Sequence, residues 1–154
     1  DSKWSESARY QNIEEARLIK KLVSSLTSEH LDVKILTPYR AQKFHLQKIL
    51  PKYRGWISTV DEFQGREADI VILSLVRNNK NTKPSKRWGF MLEPTRRSVV
   101  FSRAKEVLVV IGSLTHIFDT EFYPDSAELG EVAKEFRARA KIMNPANFLK
   151  ELNR

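Results

Sequence analysis

The chain has 154 residues, 41% of them hydrophobic and 30% charged, a composition typical of one soluble globular domain and not of a disordered segment. It contains no cysteine, which excludes disulfides, thiolate metal sites and cysteine nucleophiles, and no apolar run of about 18 residues, which argues against a membrane span. Its 27 lysines and arginines outnumber its 19 acids, so the net charge is +8.

The predicted elements alternate between helix and strand. In chain order, the spacing of apolar residues predicts a helix over 12–26, a strand over 32–37, a helix over 39–52, strands over 55–58 and 68–76, a helix over 93–104 and a strand over 106–112. A further helix is predicted to begin at Asp125 or Ser126, followed by a short strand around Ile142 and a C-terminal helix through Phe148 and Leu152. The strands lack polar alternation, which is typical of strands covered on both faces. The sequence therefore predicts an α/β sandwich with a mostly parallel sheet.

Ligands of such sheets bind beyond the carboxyl ends of the strands. The loops that follow the first three predicted strands are 37–42, 58–67 and 77–90, and all of them carry charged or hydrogen-bonding groups. The chain has no G-x-x-x-x-G-K-[ST] phosphate loop and no G-x-G-x-x-G motif. Its three histidines, His30, His45 and His116, are scattered without metal-ligand spacing, so they are interpreted as surface or packing residues and no metal site is predicted.

The excess positive charge is concentrated in one window. Between Arg77 and Lys105 there are nine basic residues and one acid, Glu93, so this window alone carries +8. A field this localised suits a polyanion such as nucleic acid or nucleotide phosphate. A solvated basic face is the alternative interpretation. The N-terminus lacks the pattern of a signal peptide, and the expected localisation is intracellular, either cytoplasmic or nuclear.

Three stretches stand out together, in order. They are "ILTPYRAQ" (35–42), "TVDEFQGREADIVILSLVR" (59–77) and "GFMLEPTRRSVVFSRAKEVLVVIG" (89–112). This series resembles the second RecA-like motor domain of superfamily 1 helicases, in the up-frameshift and senataxin-like branch. Those families carry T-P-Y-x-x-Q, then V-D-x-F-Q-G-x-E with an apolar strand ending in V-R, and then G-F-L-x-x-P-R-R-x-N-V-A-x-T-R-A. The resemblance spans roughly 12–112.

The resemblance implies a RecA-like three-layer sandwich over 1–154, a single domain in which a mostly parallel sheet is flanked by helices. It also implies that this domain is the C-terminal motor domain of a helicase. The first motor domain, which carries the phosphate loop and the Mg²⁺-binding acids, is expected to be absent from this chain. ATP with Mg²⁺ would then bind mainly through that missing domain of the same polypeptide.

The resemblance assigns part of the ATP site to the second and third motifs. Arg103 would act as an arginine finger on the γ-phosphate, where it stabilises the charge that develops during phosphoryl transfer. Gly65 permits a close backbone approach, Glu67 can accept hydrogen bonds from a ribose hydroxyl, and Gln64 would couple the two ligands. The alternative interpretations are a turn glycine, a solvated acid and a surface arginine paired with Glu67 or Glu106.

The same resemblance, with the positions of the loops, gives the expected contacts to single-stranded RNA or DNA. They are Thr37, Pro38, Tyr39, Thr59, Val60, Asp61, Arg77 and Asn79. Tyr39 can stack on a base or pack against its helix, and Asp61 is expected to act as a helix cap more than as a direct contact. In the loop from Lys80 to Trp88, the basic residues Lys83, Lys86 and Arg87 would add sequence-independent affinity, and Trp88 is expected to anchor this loop on the core rather than to stack.

The chain departs from the family pattern in the last motif. The family's Asn is Ser98, its Ala is Val100 and its Thr is Ser102, whereas the pair Arg103–Ala104 is kept. Ser102 preserves a hydroxyl, but Ser98 loses the hydrogen-bonding capacity of an amide. These departures support the main alternative, a catalytically inactive RecA-like domain that binds nucleic acid or acts as a scaffold.

The function expected from the sequence is that of the second motor domain of an ATP-dependent helicase that moves 5′ to 3′ on single strands, inactive when it is alone. No membrane partner is expected. Another superfamily 1 branch, that of viral or recombination helicases, usually carries V-x-x-x-Q-G without the D-x-F pairing, so Asp61 and Phe63 argue against it. Phosphate contacts do not distinguish RNA from DNA, and the sequence leaves that choice open.

Overall fold

A computed structural model describes residues 10–26, 30–118 and 127–152. Its four strands are β1 (Val33–Thr37), β2 (Ile57–Thr59), β3 (Ala68–Ser74) and β4 (Ala104–Ile111). Its helices are α1 (Ile13–Ser25), α2 (Arg40–Ile49), α3 (Pro84–Arg87), α4 (Pro94–Phe101), α5 (Leu114–Phe118), α6 (Ala127–Arg139) and α7 (Pro145–Leu152), with 3₁₀ turns at Pro51–Trp56 and Gly89–Leu92. None of the described helices combines the length and the apolar character that crossing a bilayer requires.

The four strands form one parallel sheet in the order β2-β1-β3-β4. In register, Thr37 at the end of β1 aligns with Thr59 at the end of β2, and Ala68 at the start of β3 aligns with Ala104 at the start of β4. The predicted α/β class and parallel sheet are therefore confirmed, and the arrangement is RecA-like. Strand β3 is central, since it pairs with β1 on one side and with β4 on the other.

Alternate side chains of β3 point into two separate apolar cores. Val71 and Leu73 pack in the first core with Val100 of α4. Ile72 packs in the second core with Leu46 of α2 and with the buried residues of α1. Because both faces of the strand are covered, its sequence is a continuous apolar run, as the sequence analysis predicted.

Two sequence-based expectations differ from the structure, and a third is not tested by it. Strand β4 was predicted to be fully buried, but it is the last strand of the described sheet and Val107 is 48% exposed. Leu108 and Val110 pack against the first core and Val109 and Ile111 against the second, so the strand is covered on both faces only towards its carboxyl end. No strand forms around Ile142, which lies in an irregular segment and is exposed, so that prediction is wrong. The predicted cap at Asp125 or Ser126 lies outside the described residues.

Trp88 anchors the segment between β3 and α4 on the first core. It is 2% exposed, and its indole Nε1 donates to the carbonyl of His116 at 2.9 Å. The Nε2 of His116 lies 3.1 Å from the carbonyl oxygen of Arg87. The anchoring interpretation of Trp88 is confirmed. The segment predicted as a loop contains the short helix α3, which ends directly before this anchor, where the Trp88 N–H donates to the Pro84 carbonyl at 2.9 Å.

The turn that follows β2 is closed by a capping box. Thr59 Oγ1 accepts from the Glu62 N–H at 3.3 Å, and Glu62 Oε2 accepts from the Thr59 N–H at 2.9 Å. Lys43 of α2 donates to both oxygens of Glu62, at 2.7 and 2.8 Å. The capping role that the sequence analysis gave to Asp61 therefore belongs to Thr59 and Glu62. The T-x-x-E spacing was the readable signal for this pair.

Trp88 and Phe44 differ in exposure, so truncating them should change the free energy of unfolding by very different amounts. Trp88→Ala should lower the free energy of unfolding by about 3–5 kcal/mol, because it leaves a cavity and an unpaired carbonyl. Phe44→Ala is the control: Phe44 is 62% exposed, and its loss should change the free energy by no more than about 0.5 kcal/mol. Urea denaturation followed by circular dichroism measures both values, and equal effects would contradict the anchoring role.

The capping box gives the turn a dependence on pH. Hydrogen bonds from Lys43 and from the Thr59 N–H lower the pKa of Glu62 below its ordinary value. A lowered folded-state pKa means that the stabilisation is complete above about pH 4.3 and is lost as the pH falls through the folded value. The difference in unfolding free energy between the wild type and Glu62→Gln should therefore be constant near neutral pH and shrink in acid.

Denaturation curves across that pH range check this expectation. Glu131→Gln, which removes an exposed pair with Lys134 on α6, is the matched control. If the wild type and Glu62→Gln differ by the same amount at every pH, Glu62 does not close the turn as a carboxylate.

Candidate functional site

The candidate residues lie at two opposite edges of the sheet. Tyr39, Thr59 and Arg77 follow β1, β2 and β3, so they lie at the carboxyl edge. Glu67 and Arg103 come directly before β3 and β4, so they lie at the amino edge. The sequence analysis placed the whole loop 58–67 beyond a carboxyl end. Only its first half lies there, because the loop runs back along the sheet before β3 begins.

Arg103 and the Gly65–Glu67 segment are neighbours at the amino edge. The Ala68 N–H donates to the carbonyl of Arg103 at 3.0 Å, which joins the two segments at their backbones. The side chain of Arg103 is half-buried, and its Nε is a buried nitrogen without a hydrogen-bond partner. Within the described residues, neither Glu67 nor Glu106 forms a salt bridge with it. The guanidinium therefore has no acidic partner in the described part of the chain.

The backbone conformation at Gly65, in the amino-edge segment, explains why a glycine occupies this position. Gly65 has a φ of +80°, a value that favours glycine, and no atom lies within 4 Å of the position that a Cβ would take. Gln64 before it and Arg66 and Glu67 after it are exposed. The backbone of this segment is consequently open to a ligand, while its three polar side chains remain in solvent.

The departures in the last motif lie in different environments. Val100 is fully buried in the first core, so its difference from alanine concerns packing. Ser98 is exposed on α4, and the Ser102 hydroxyl donates to its carbonyl at 2.7 Å.

The arginines of the basic window between Arg77 and Lys105 also differ in their environments. Arg97 is buried and donates to the Met91 carbonyl at 2.7 Å, whereas Arg96 pairs with Glu93 at 2.9 Å.

The two threonines of the carboxyl edge, Thr37 and Thr59, are buried and hydrogen-bonded within the chain. Thr37 and Thr59 are 0% and 6% exposed, and the Thr37 carbonyl accepts from the Val60 N–H at 3.1 Å. The side chain of Val60 is 1% exposed. Because the N–H groups of Thr59 and Val60 already donate within the chain, neither is free to bind a phosphate in this conformation. Asp61 is exposed, and its carboxylate lies 3.4 Å from Arg96 Nε.

An aromatic and cationic cluster lies at this edge, where Tyr10 is exposed and Tyr39 and Arg77 are half-buried. Arg77 Nε donates to Tyr39 Oη at 2.8 Å. The Tyr39 ring stacks on Tyr10, with centroids 5.0 Å apart and planes at 26°, and the Arg77 guanidinium lies 4.2 Å from the Tyr10 centroid. Gly89 leaves room for this cluster, since a Cβ there would lie 3.1 Å from Arg77 Cζ. Tyr39 thus packs against Tyr10 and Arg77, and of the two rings Tyr10 is the more exposed, at 41%.

The basic segment between β3 and α4 is tied to the same cluster. Arg77 Nη1 donates to the carbonyl of Lys86, and Asn79 Nδ2 donates to the carbonyls of Lys86 and Arg87 at 3.2 and 3.3 Å. The exposed lysines of this segment are Lys80, Lys83 and Lys86. Pro38 lies half-buried next to Tyr39. The carboxyl edge therefore combines aromatic rings with cations, which is the combination that binds single-stranded nucleic acids.

Three residues that the sequence did not predict also contribute to this edge. Tyr10 precedes the first predicted helix and carried no pattern of its own. Asn12 and Glu15 lie in the first turn of α1, where Asn12 Oδ1 accepts from the Glu15 N–H at 3.1 Å and caps the helix. The N-x-x-E spacing before an apolar stripe was a readable signal for the cap. Nothing local predicted that Glu15 also reaches residues about sixty positions further along the chain.

Comparisons with known proteins agree with the motifs. The family model AAA_12, described as an AAA domain, matches residues 1–115. Among curated relatives, an uncharacterized ATP-dependent helicase of Methanocaldococcus jannaschii is 31% identical over 132 residues, which cover 84% of this chain and 19% of that protein. The regulator of nonsense transcripts 1 homolog of Neurospora crassa is 34% identical over 116 residues, 68% of this chain and 10% of that protein.

The human protein named probable helicase senataxin is 30% identical over 139 residues, which cover 81% of this chain and 5% of that protein. The chain thus spans less than a fifth of the length of each of these relatives. The family model, by contrast, covers well over half of the chain. The chain therefore belongs to the AAA_12 family of AAA domains, within the up-frameshift and senataxin-like branch of superfamily 1 helicases.

Proposed function

We propose that this chain is the second RecA-like motor domain of an ATP-dependent helicase that moves 5′ to 3′ on single-stranded nucleic acid. Its amino edge completes an ATP site, and its carboxyl edge forms half of the track for the strand. The first motor domain of the same polypeptide supplies the phosphate loop. The names of the relatives support the helicase part of this proposal, since two of the three contain that word.

One observation carries the proposal more than any other. Arg103 is half-buried at an open edge, its Nε has no hydrogen-bond partner, and its backbone is bonded to the start of β3. Holding a guanidinium without an acidic partner costs free energy unless a ligand supplies the negative charge. A nucleotide phosphate from a facing domain is a ligand of that kind, and it fits the donor that Arg103 provides.

The residues at the amino edge have distinct roles in this proposal. Arg103 stabilises the charge that develops on the γ-phosphate in the transition state of hydrolysis. Gly65 lets the backbone approach the nucleotide, and Glu67 accepts hydrogen bonds from its ribose. Gln64 lies on the side of this segment that leads back to Thr59, so it connects the nucleotide with the nucleic-acid edge. Mg²⁺ is held mainly by the first motor domain and by the phosphates.

The roles at the carboxyl edge follow the exposure of each residue. Tyr39, Arg77 and Asn79 make the principal contacts to the strand, with Pro38 and Asp61 beside them. Thr37, Thr59 and Val60 are buried and shape the floor of the track. The lysines of the basic segment add affinity that depends on salt and not on sequence.

The chain alone should lack ATPase activity. Residues 1–154 contain half of the proposed site and no phosphate loop, so their hydrolysis rate should match the rate of a blank. A phosphate-release assay with and without oligonucleotide measures this rate, and the same assay on the intact protein is the positive control. Robust hydrolysis by the isolated chain would overturn the proposal of a half-motor.

Arg103→Ala in the intact protein tests the arginine finger. We expect turnover to fall by about 10³-fold or more, because the transition-state charge loses its partner, while ATP binding changes little. Arg139→Ala is the matched control, since Arg139 is an exposed arginine that pairs with Glu135 on α6. Turnover near the wild-type value in Arg103→Ala would refute the assignment.

The inactive scaffold remains the second candidate, and the exposed Ser98 is the observation that favours it. A serine on the surface of α4 cannot offer the two hydrogen bonds of an amide to a ligand. The assay of the intact protein separates the two candidates, because a scaffold binds nucleic acid without nucleic-acid-stimulated hydrolysis. Running that assay with RNA and then with DNA also identifies the strand that the motor uses.

A further inference from the structure

The backbone immediately before Arg77 is strained. Val76 has a φ of 70°, in the left-handed region that β-branched residues rarely adopt. The Arg77 N–H donates to the carbonyl of Leu75 at 2.8 Å, which closes a three-residue γ-turn with Val76 at its centre. A γ-turn with positive φ is rare and persists only where the surrounding structure holds it.

The first turn of α1 holds this γ-turn by both sides of Val76. Glu15 Oε2 accepts from the Val76 N–H at 3.0 Å and from the Ser74 hydroxyl at 2.6 Å. Asn12 Nδ2 donates to the Val76 carbonyl at 3.3 Å and to Glu15 Oε1 at 3.2 Å. Both peptide groups of the strained residue are therefore bonded to side chains about sixty positions away in the sequence.

Gln42 of α2 closes the network from the other side. Its Nε2 donates to Ser74 Oγ and to the carbonyl of Asn12, both at 3.0 Å, and its Oε1 accepts from the Asn12 N–H at 2.9 Å. The exposures of the network residues Asn12, Glu15, Gln42 and Ser74 are all between 0% and 2%. A buried carboxylate is costly unless it is fully hydrogen-bonded, so this network is an expensive way to shape one turn.

The network also fixes the partners of Arg77. Tyr10 lies two residues before Asn12, and Tyr39 lies three residues before Gln42 at the start of α2. Arg77 follows the γ-turn itself. All three members of the aromatic and cationic cluster are therefore attached, within three residues, to the same buried network.

We propose that Glu15 is a positioning residue for nucleic-acid binding. Its carboxylate holds Val76 in the left-handed conformation, and this conformation aims the Arg77 guanidinium across Tyr39 and Tyr10 towards the strand. Helix α1 is thereby coupled to the nucleic-acid edge without touching the ligand. This inference rests on the proposed function of that edge, and the experiment below separates the failure of one from the failure of the other.

Glu15→Gln keeps the size of the side chain and converts one acceptor oxygen into a donor, which then meets the donors of Val76, Ser74 or Asn12. We expect the affinity of the chain for a fluorescein-labelled oligothymidylate, measured by anisotropy, to fall about tenfold, the size of one lost stacking or cation–π contact. Glu14→Gln is the matched control, since Glu14 pairs with Arg17 and lies outside the network. It should leave the affinity unchanged.

A double-mutant cycle tests whether Glu15 acts through Arg77. Arg77→Ala should also weaken binding about tenfold, and Glu15→Gln should add almost nothing in the Arg77→Ala background. Glycine adopts the left-handed conformation without strain, so Val76→Gly in the Glu15→Gln background should restore most of the affinity. Additive losses, or no loss in Glu15→Gln, would overturn the proposal. If Glu15→Gln does not fold, Ser74→Ala replaces it, because Ser74 donates to the same carboxylate oxygen. An unchanged affinity in Ser74→Ala would also overturn the proposal.

A second measurement does not depend on binding. The Nε–H of Arg77 donates to Tyr39 Oη, so its ¹H–¹⁵N signal reports the position of the guanidinium. This signal should shift in Glu15→Gln and stay in place in Glu14→Gln. If the wild-type chain binds no oligonucleotide but the signal shifts, the positioning role stands and the nucleic-acid function fails. If the signal does not shift, Glu15 does not position Arg77.

Discussion

Strand β3 is the constraint on which the rest of the structure depends. It is hydrogen-bonded on both edges and covered by an apolar core on each face, so it cannot slide without breaking both sets of contacts. Its seven residues span roughly 23 Å at about 3.3 Å per residue. Residues before Ala68 and residues after Ser74 are held that far apart. One rigid element thus separates the two candidate regions and connects them.

Most polar groups inside the fold have partners of this chain. Arg97 is bonded to a carbonyl, and the carboxylate of Glu15 accepts from two side chains and a backbone N–H. The Nε of Arg103 differs from these groups, since it is one of two buried side-chain nitrogens in the described residues that have no hydrogen-bond partner. Buried polar atoms are normally satisfied, so an exception marks a place where the fold is completed by something else. For this reason the proposed function places a ligand at the amino edge, beside Arg103.

The sequence predicted the parts of the structure that depend on local pattern. The period of apolar residues placed α1, α2 and the central strands within a few residues, because these elements bury a regular face. It could not predict that β4 is half exposed, since an apolar run does not reveal whether a strand has a neighbour. The predicted strand bounds already put Glu67 and Arg103 near the starts of strands, but the expectation that the whole loop 58–67 lies beyond a carboxyl end obscured their position at the amino edge. The hydrogen bonds of Glu15 to Ser74 and Val76 join parts of the chain about sixty residues apart, so no local sequence pattern predicts them.

The tethering of the segment between Arg77 and Trp88 has a consequence for its charges. The segment is fixed at one end by β3 and at the other by the buried indole of Trp88, and Arg77 and Asn79 bond across its base. With about five residues from its tip to either anchor, no lysine in it can stray more than roughly 17 Å from the sheet. The ammonium groups of Lys80 and Lys83 therefore act at a high effective concentration beside Tyr39 and Arg77, whatever conformation the tip adopts. Under the proposed function, this tether keeps the lysines near a polyanion that binds at the cluster.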